Sequence, residues 1–521
     1  MQHTSVVIIG GSLVGLSASL FLAWRGVPHI VVDKHRGSSP HPRAMGFTET
    51  TIEHFRAVGV ADRIPATPAA FRLRRATVSS LAGEWHTETD WTPGTPTQRA
   101  TECSPCTGAA IAQDKLEPIL RDAALEQGAV MHLGVELVSF EQHPDGVVVQ
   151  LQPRDGRAAY AVSAEYLIAA DGADSPVREA LGIQRSGVGH LRTLRSVLFR
   201  CPGADAWLDQ GIQQFVIEQP DFRAFLTTYG DSRWVLMFED DEERSEAALR
   251  EAVARALGCD LAFEIITTGR WDMAGRIADS YASGRVFLAG DAAHQLPPTR
   301  GGFGANTGID DAWNLAWKLE RVLAGTSSPA LLDTYDAERR PIGWLRHQQT
   351  FSRPDYAHWV GGDFTPDALF DNDAMEFGQL VRSAAVIGAT ADLPAAAAPA
   401  QWAGQPGTRA PHVAVTRRGQ AMSTLDLFGR GFVLLAGDPA WRTVAQALPV
   451  EVVMVGEDVQ FPATDTFADR FGVNPSGAAL IRPDGVVAWR GRDADARLGL
   501  AEALAQVASA PRAGVAEGER R

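Results

Sequence analysis

Short β-branched runs alternate with longer amphipathic stretches along this chain. Val6-Val7-Ile8-Ile9 is a compact apolar run, as a parallel strand buried on both faces requires. Gly10, Gly11, Ser12 and Gly15 follow, and the apolar stretch Leu16 to Trp24 predicts a helix closed by Gly26. His29 to Val32 predicts a second strand, ending at Asp33. Far downstream, Val286 to Ala289 predicts a strand, followed by a turn at Asp291, a Pro-Gly loop and a long amphipathic helix. Between these regions, Gln213 to Ile217 and Trp234 to Phe238 carry strand patterns. Near the C-terminus, Val413–Val415, Phe432–Leu435 and Val452–Val455 predict strands separated by helical stretches, and Ala479 to Trp489 predicts a hairpin.

A length of 521 residues exceeds one ordinary core, so two or three domains are expected. The 45% hydrophobic and 21% charged residues are the balance of a soluble globular protein. A net charge of -15 disfavours nucleic acid and anionic membranes as partners, because both attract basic surfaces. No apolar run approaches the ~20 residues of a membrane span. The N-terminal apolar run has no basic segment before it and no cleavage site after it. Cys103, Cys106, Cys201 and Cys259 are too few for a disulfide framework, so a reducing cytoplasm is expected.

The first βα turn carries chemistry. Gly10 makes the tight turn, the next motif position lets a pyrophosphate approach the backbone, and Gly15 lets helix pack on strand. Ser12 stands where G-x-G-x-x-G has its second glycine, and its hydroxyl can donate to a phosphate. Asp33, about 20 residues on, can accept ribose hydroxyls. This βαβ context predicts a bound dinucleotide without choosing between FAD and NAD. The second region does choose. In G-D-A-A-H-Q-L-P-P-T-R-G-G-F-G-A-N, Asp291 ends a strand and can hold a ribityl or ribose hydroxyl. Gly301, Gly302 and Gly304 then place bare backbone N–H groups at a helix N-terminus, which attracts the negative charge that a reduced flavin carries near N1 and C2=O.

That segment resembles the second FAD motif of class A flavoprotein monooxygenases, the para-hydroxybenzoate hydroxylase superfamily. Asp171-Gly172-Ala173-Asp174-Ser175-Pro176-Val177-Arg178 is similar to the family's D-G-x-x-S-x-V-R motif, associated with the pyrophosphate and with NAD(P)H use. Gln113-Asp114-Lys115-Leu116-Glu117 is similar to its Q-x-x-L-E helix start, whose glutamine contacts the flavin. Pro42 to Phe47, Ala112 to Leu120, Trp271 to Asp279 and Leu331 to Gly343 further resemble the aromatic polyketide hydroxylases that act on anthracyclines and angucyclines. Two departures bear on substrate. Thr50 to His54 lacks the arginine of the family's R-T-M-E-L, and Leu380-Val381 replaces an Arg-Tyr pair near which relatives bind substrate.

The resemblance implies an α/β fold of three parts. A discontinuous Rossmann-like FAD domain is expected over 1–70, 100–185 and 270–385, and a β-sheet substrate domain covering the flavin over 71–99 and 186–269. An Ala/Pro/Gly-rich linker, 387–410, leads to a thioredoxin-like C-terminal domain over 411–507 without redox cysteines, and 508–521 reads as a disordered tail. Gly10, Ser12, Leu13, Val14 and Gly15 would hold the pyrophosphate, and Asp33 and Lys34 the adenosine ribose side. Gln113 and Arg121 would contact the ribityl or phosphate portion, Asp171 would lie near the pyrophosphate, and Asp291 would hold ribityl or pyrophosphate. Pro298, Gly301, Gly302, Gly304, Ala305 and Asn306 would face the isoalloxazine. Arg43 and Gly304 form the environment of the reacting flavin, Arg43 sensing its reduction, and no catalytic base is assigned.

The implied reaction uses NADPH or NADH as transient reductant and O2 as oxidant. One oxygen atom passes from a flavin C4a-hydroperoxide to a polycyclic aromatic polyketide, with hydroxylation of a phenolic ring expected. A Baeyer–Villiger or ring-cleaving oxygenase on the same scaffold and a non-catalytic flavin-binding partner in a biosynthetic complex stay open. No metal is expected, and a monomer or homodimer is. Cys103-Ser104-Pro105-Cys106 reads as a plain loop, His294 as structural or flavin-proximal, Trp313 and Trp317 as helix core, and Asp310 and Asp311 as residues favouring an early helix turn.

Overall fold

The protein, seen in a computed structural model, is described over residues 1–67, 74–90, 100–298 and 303–510. Gly301, Gly302, residues 91–99 of the expected substrate domain and the tail beyond 510 lie outside them. The run Val6–Ile9 forms the end of a strand, Gln2–Ile9, whose apolar residues are almost fully buried. It pairs in parallel with His29–Asp33 on one side and Tyr160–Ala169 on the other. Val286–Leu288 extends the parallel set beyond Tyr160–Ala169, and Val130–Leu133 extends it beyond His29–Asp33. The helix after the first strand begins at Leu13, three residues earlier than the apolar run predicts.

A second sheet of eight strands is almost wholly antiparallel. Its long central pair, Arg185–Arg200 with Glu264–Ala278, is interrupted by three register shifts that bend the sheet. Val197, Phe199, Phe215, Leu226, Trp234 and Leu236 point to one face and pack beneath the helix Glu246–Leu257. Ser245 caps that helix by accepting the Ala248 N–H, and Gly258 ends it in the left-handed region. Side chains alternate across a strand, so Ser196, Phe225 and Met237, paired in register, occupy the opposite face.

The C-terminal part holds a four-stranded sheet in the order Glu451–Met454, Val433–Ala436, Ala478–Ile481, Val487–Gly491, with only the first pair parallel. One face buries Leu434, Ala436 and Leu480 together with Trp317 and Leu331 of the first part, so the two parts share a core. Residues 387–410 are packed, with Ala396, Trp402 and Ala410 buried and the Trp402 indole N–H donating to the Gly378 carbonyl at 2.7 Å.

Candidate flavin site

The C-terminal ends of the parallel strands bring Gly10, Asp33, Ala170-Asp171 and Gly290-Asp291 to one edge of the sheet, where open α/β sheets bind ligands. Gly10 adopts φ +105°, and a Cβ there would stand 2.2 Å from the Ala170 carbonyl oxygen. A Cβ at Gly15 would stand 1.8 Å from the Gly10 carbonyl oxygen. The turn therefore admits only glycine at these two places. The Gly11 N–H donates to Asp33 Oδ2 and the His35 N–H to Oδ1, each at 2.6 Å. Each carboxylate oxygen keeps further acceptor capacity for a ribose hydroxyl.

Ser12 has a different task from the phosphate donor expected of it. Its hydroxyl donates to Glu117 Oε1 at 2.5 Å and accepts from Gln113 Nε2 at 2.9 Å. Gln113 Nε2 also donates to Glu117 at 2.8 Å, and Gln113 Oε1 accepts the backbone N–H groups of Arg43 and Ala44, each at 3.3 Å. The amide is thus bonded within the protein, and its oxygen holds the backbone of the Arg43 loop. Ser12 makes no side-chain cap on the helix Leu13–Trp24, so the first helical N–H groups stay available to an anion. Lys34 and Arg43 are exposed. Arg121 Nη2 donates to Ser38 Oγ at 3.4 Å, while its Nε is buried with no acceptor among the described residues.

Asp171 Oδ2 accepts the Val177 N–H at 3.2 Å. Its Oδ1 is buried without a partner among the described residues, and burial pushes the carboxyl above its ordinary range. Ser175 caps the short helix Pro176–Ala180, and Arg178, itself buried, donates to the carbonyls of Ala173 and Ala292 at 3.0 and 3.1 Å. One guanidinium so ties the turn after Asp171 to the turn after Asp291.

The helix Phe303–Leu323 meets the first helix where Gly308 makes room for Val14. A Cβ at Gly308 would stand 2.6 Å from Val14 Cγ2, and one at Gly290 2.8 Å from the same methyl. Asp311 does more than favour a helix turn. Oδ2 accepts from His294 Nε2 at 2.7 Å and from the Gly290 N–H at 3.2 Å, and Oδ1 accepts from Arg339 Nε at 2.8 Å. Burial pushes this carboxyl up, but His294 and Arg339 outweigh it and hold the pKa below the ordinary value. Asp310 pairs with His54 at 3.0 Å. Asn306 Oδ1 accepts the Thr48 N–H at 3.1 Å and the Thr51 hydroxyl at 2.7 Å. Gly304 and Ala305 are half-buried, and a Cβ on Gly304 would meet nothing within 4 Å. Pro298 is exposed, and its carbonyl accepts from the Tyr356 hydroxyl.

The open face of the second sheet is fastened to this edge. The Tyr229 hydroxyl donates to the Pro42 carbonyl at 2.6 Å, Ser196 Oγ lies 2.9 Å from His41 Nε2, and Arg233 bridges to Asp114 at 2.8 Å. Arg75 stacks over Phe225 on that face. Sequence reasoning quoted Glu117 within its motif without giving it a role, and gave none to Thr48, Thr51 and Arg339. Glu117 had a signal, its i,i+4 spacing from Gln113, whereas the others depend on contacts across the fold. Burial raises both the Cys103 and the Cys106 thiol, Cys106 to about 12, which disfavours the reactive thiolate form.

A parallel sheet with these glycine turns, joined to a large antiparallel sheet and a third small one, defines a class A flavin monooxygenase. Residues 3–350 match the FAD binding domain family and residues 403–511 the C-terminal domain of aromatic-ring hydroxylases, and the chain belongs to that family. It is 37% identical to a 4-methyl-5-nitrocatechol 5-monooxygenase of Burkholderia, covering 96% of this chain and 97% of that protein. It is 36% identical to an aklavinone 12-hydroxylase of Streptomyces purpurascens, covering 95% and 96%. Its fold superposes with a TM-score of 0.85 on an aklavinone-11 hydroxylase solved with FAD and aklavinone, at 34% identity over 98% of this chain and 99% of that one. The site fits FAD by its own features. Gly10 and Gly15 leave no room for a side chain, the first helix has uncapped N–H groups, and the buried Arg121 Nε and Asp171 Oδ1 lack partners among the described residues.

Proposed function

We propose that this enzyme uses NADPH or NADH to hydroxylate a phenolic ring of a polycyclic aromatic polyketide, inserting one atom of O2. The observation that carries the reading is the edge where Gly10, Asp33, Asp171 and Asp291 meet, beside the N-terminus of the Phe303–Leu323 helix. Polyketide substrate is supported by full-length relatives such as the aklavinone hydroxylases. A smaller, single-ring phenol is the second reading, supported by the nitrocatechol monooxygenase relative.

Bound FAD would supply hydride acceptance and the activation of O2. The protein's own work is binding and exclusion of water. Gly10 and the uncapped N–H groups of the helix from Leu13 would take the pyrophosphate, with Ser12 holding the turn through Glu117 rather than touching phosphate. Val14 would support the turn by packing on Gly290 and Gly308. Asp33 and Lys34 would meet the adenosine ribose, Arg121 and Asp291 the ribityl and phosphate portion, and Asp171 the pyrophosphate. Pro298, Gly301, Gly302, Gly304, Ala305 and Asn306 would border the isoalloxazine. Arg43, exposed and held by its backbone to Gln113, would respond to the reductant. The open face of the antiparallel sheet would form the substrate wall and keep water from the reacting centre. The C-terminal domain is read as thioredoxin-like in shape only, because no cysteine lies beyond Cys259.

Aerobic turnover with NADPH and a panel of polycyclic phenols, followed by product mass, tests this reading. A gain of one oxygen with the carbon skeleton intact is expected. Ring opening or ester formation would move the assignment to the Baeyer–Villiger class, and NADPH loss yielding only H2O2 would reject every substrate tried.

A further inference from the structure

The helix Ala330–Phe351 carries a buried cation that the site described above does not use. Arg346 is 2% exposed, and its Nε and Nη1 have no hydrogen-bond acceptor among the described residues. No carboxylate among those residues lies within ion-pair distance of it. Its guanidinium carbon sits 4.1 Å from the centroid of Phe303, the first residue of the helix whose N-terminal end borders the flavin edge. The charged groups around it are Glu376, Asp310 and Arg339. Asp310 is engaged by His54 and Arg339. Glu376 is held by the Thr50 N–H at 3.2 Å, and burial pushes its carboxyl toward the neutral form. Burial lowers the arginine as well, but a guanidinium stays protonated at any working pH. Val381 packs in the same apolar cluster as Phe303, Ile342 and Leu345.

We propose that Arg346 adds an uncompensated positive charge to the N-terminal end of the Phe303–Leu323 helix and makes the flavin bound there easier to reduce. The proposal rests on FAD occupying that edge. Accepting a hydride adds one net negative charge to the flavin. A fixed cation in low dielectric stabilises that charge without reorganising, and the helix dipole acts in the same direction. Arg346 would therefore be a tuning residue that acts on the bound flavin across the Phe303 end of the helix.

The test is the two-electron midpoint potential of the flavin in the holoenzyme, measured by dye-linked reduction. Arg346→Met is expected to shift the reduction equilibrium about tenfold toward oxidised flavin, about 30 mV, while Arg346→Lys, which keeps the charge, stays within a few-fold of wild type. An unchanged potential in a flavin-loaded Arg346→Met protein overturns the inference. If that variant does not fold, Arg346→Gln, which keeps a polar planar end without the charge, is measured in its place; the same fall in potential is expected, and an unchanged potential overturns the inference. Wild-type protein that binds no FAD would instead overturn the reading of the site itself.

Discussion

Ser12 shows how one residue's role is set by its neighbours. A glycine in its place would leave Glu117 without one donor and Gln113 without one acceptor, with only their direct hydrogen bond remaining between them. Ser12→Ala is therefore expected to destabilise the fold by about 1–3 kcal/mol, the cost of unsatisfied buried polar groups. It should also weaken FAD retention, as read by denaturant midpoint and flavin titration. Gly15→Ala tests a steric demand at the same turn. Its methyl would collide with the Gly10 carbonyl oxygen, so helix and strand must separate. The expected outcome is protein purified without flavin, with a melting temperature several degrees lower. Normal flavin content would show that the turn yields more easily than its geometry implies.

At the scale of elements, the Phe303–Leu323 helix ties together several parts of the fold. Its first turn reaches Thr48 and Thr51 through Asn306, its third reaches Gly290 and His294 through Asp311, and later turns meet the C-terminal sheet through Trp317. Asp311→Asn would leave Arg339 as a buried cation whose remaining carboxylate partner among the described residues is Asp310, at 3.7 Å. Breaking a buried pair on one side costs about 3–5 kcal/mol. Loss of the Gly290 contact should loosen the turn before Asp291, so thermal stability and flavin affinity are expected to fall together. A variant that melts early yet binds flavin as wild type would separate the two effects and limit Asp311 to folding.

At the scale of the molecule, a buried polar cluster joins the first and last parts of the chain. Glu338 accepts from Lys318 Nζ at 2.9 Å, from Arg482 Nη1 at 2.6 Å and from Ser383 Oγ at 2.6 Å, while Arg482 also reaches Asp484. Arg482 comes from the C-terminal part, and Glu338 immediately precedes the Arg339 that holds Asp311. Arg482→Met is expected to cost about 3–5 kcal/mol, and the melt should split as the C-terminal part detaches. A single unshifted transition would show that the shared apolar core suffices. The same cluster sets an acid limit. Burial pushes Glu338 up, but Arg482 and Lys318 outweigh it and hold its folded pKa far below the 4.5 of a free glutamate. The unfolded chain therefore takes up this proton first as pH falls. The stabilisation is complete above about 4.5 and is lost below it at about 1.4 kcal/mol per pH unit. Urea midpoints between pH 6 and 3 would show the decline, and Glu338→Gln should flatten it.

Local and periodic features of the sequence determined much of this protein. Val6–Ile9, the glycines after it and Asp33 announce a βαβ dinucleotide turn, because each demand is met by neighbours in sequence. The G-D-A-A-H and Gly-rich segment likewise announces a helix N-terminus suited to a flavin. Such residues have no side chain to misplace, or act through their own backbone. Tertiary structure alone decided which polar groups are spent internally. That Ser12 serves Glu117, that Gln113 holds the Arg43 loop, that Asp311 turns inward to His294 and Arg339, and that Arg346 is buried beside Phe303 all depend on partners roughly 20 to 100 residues away. No periodicity encodes such pairings. A charged side chain reads as solvated from its sequence, and only the packing around it removes the water and gives the charge its effect.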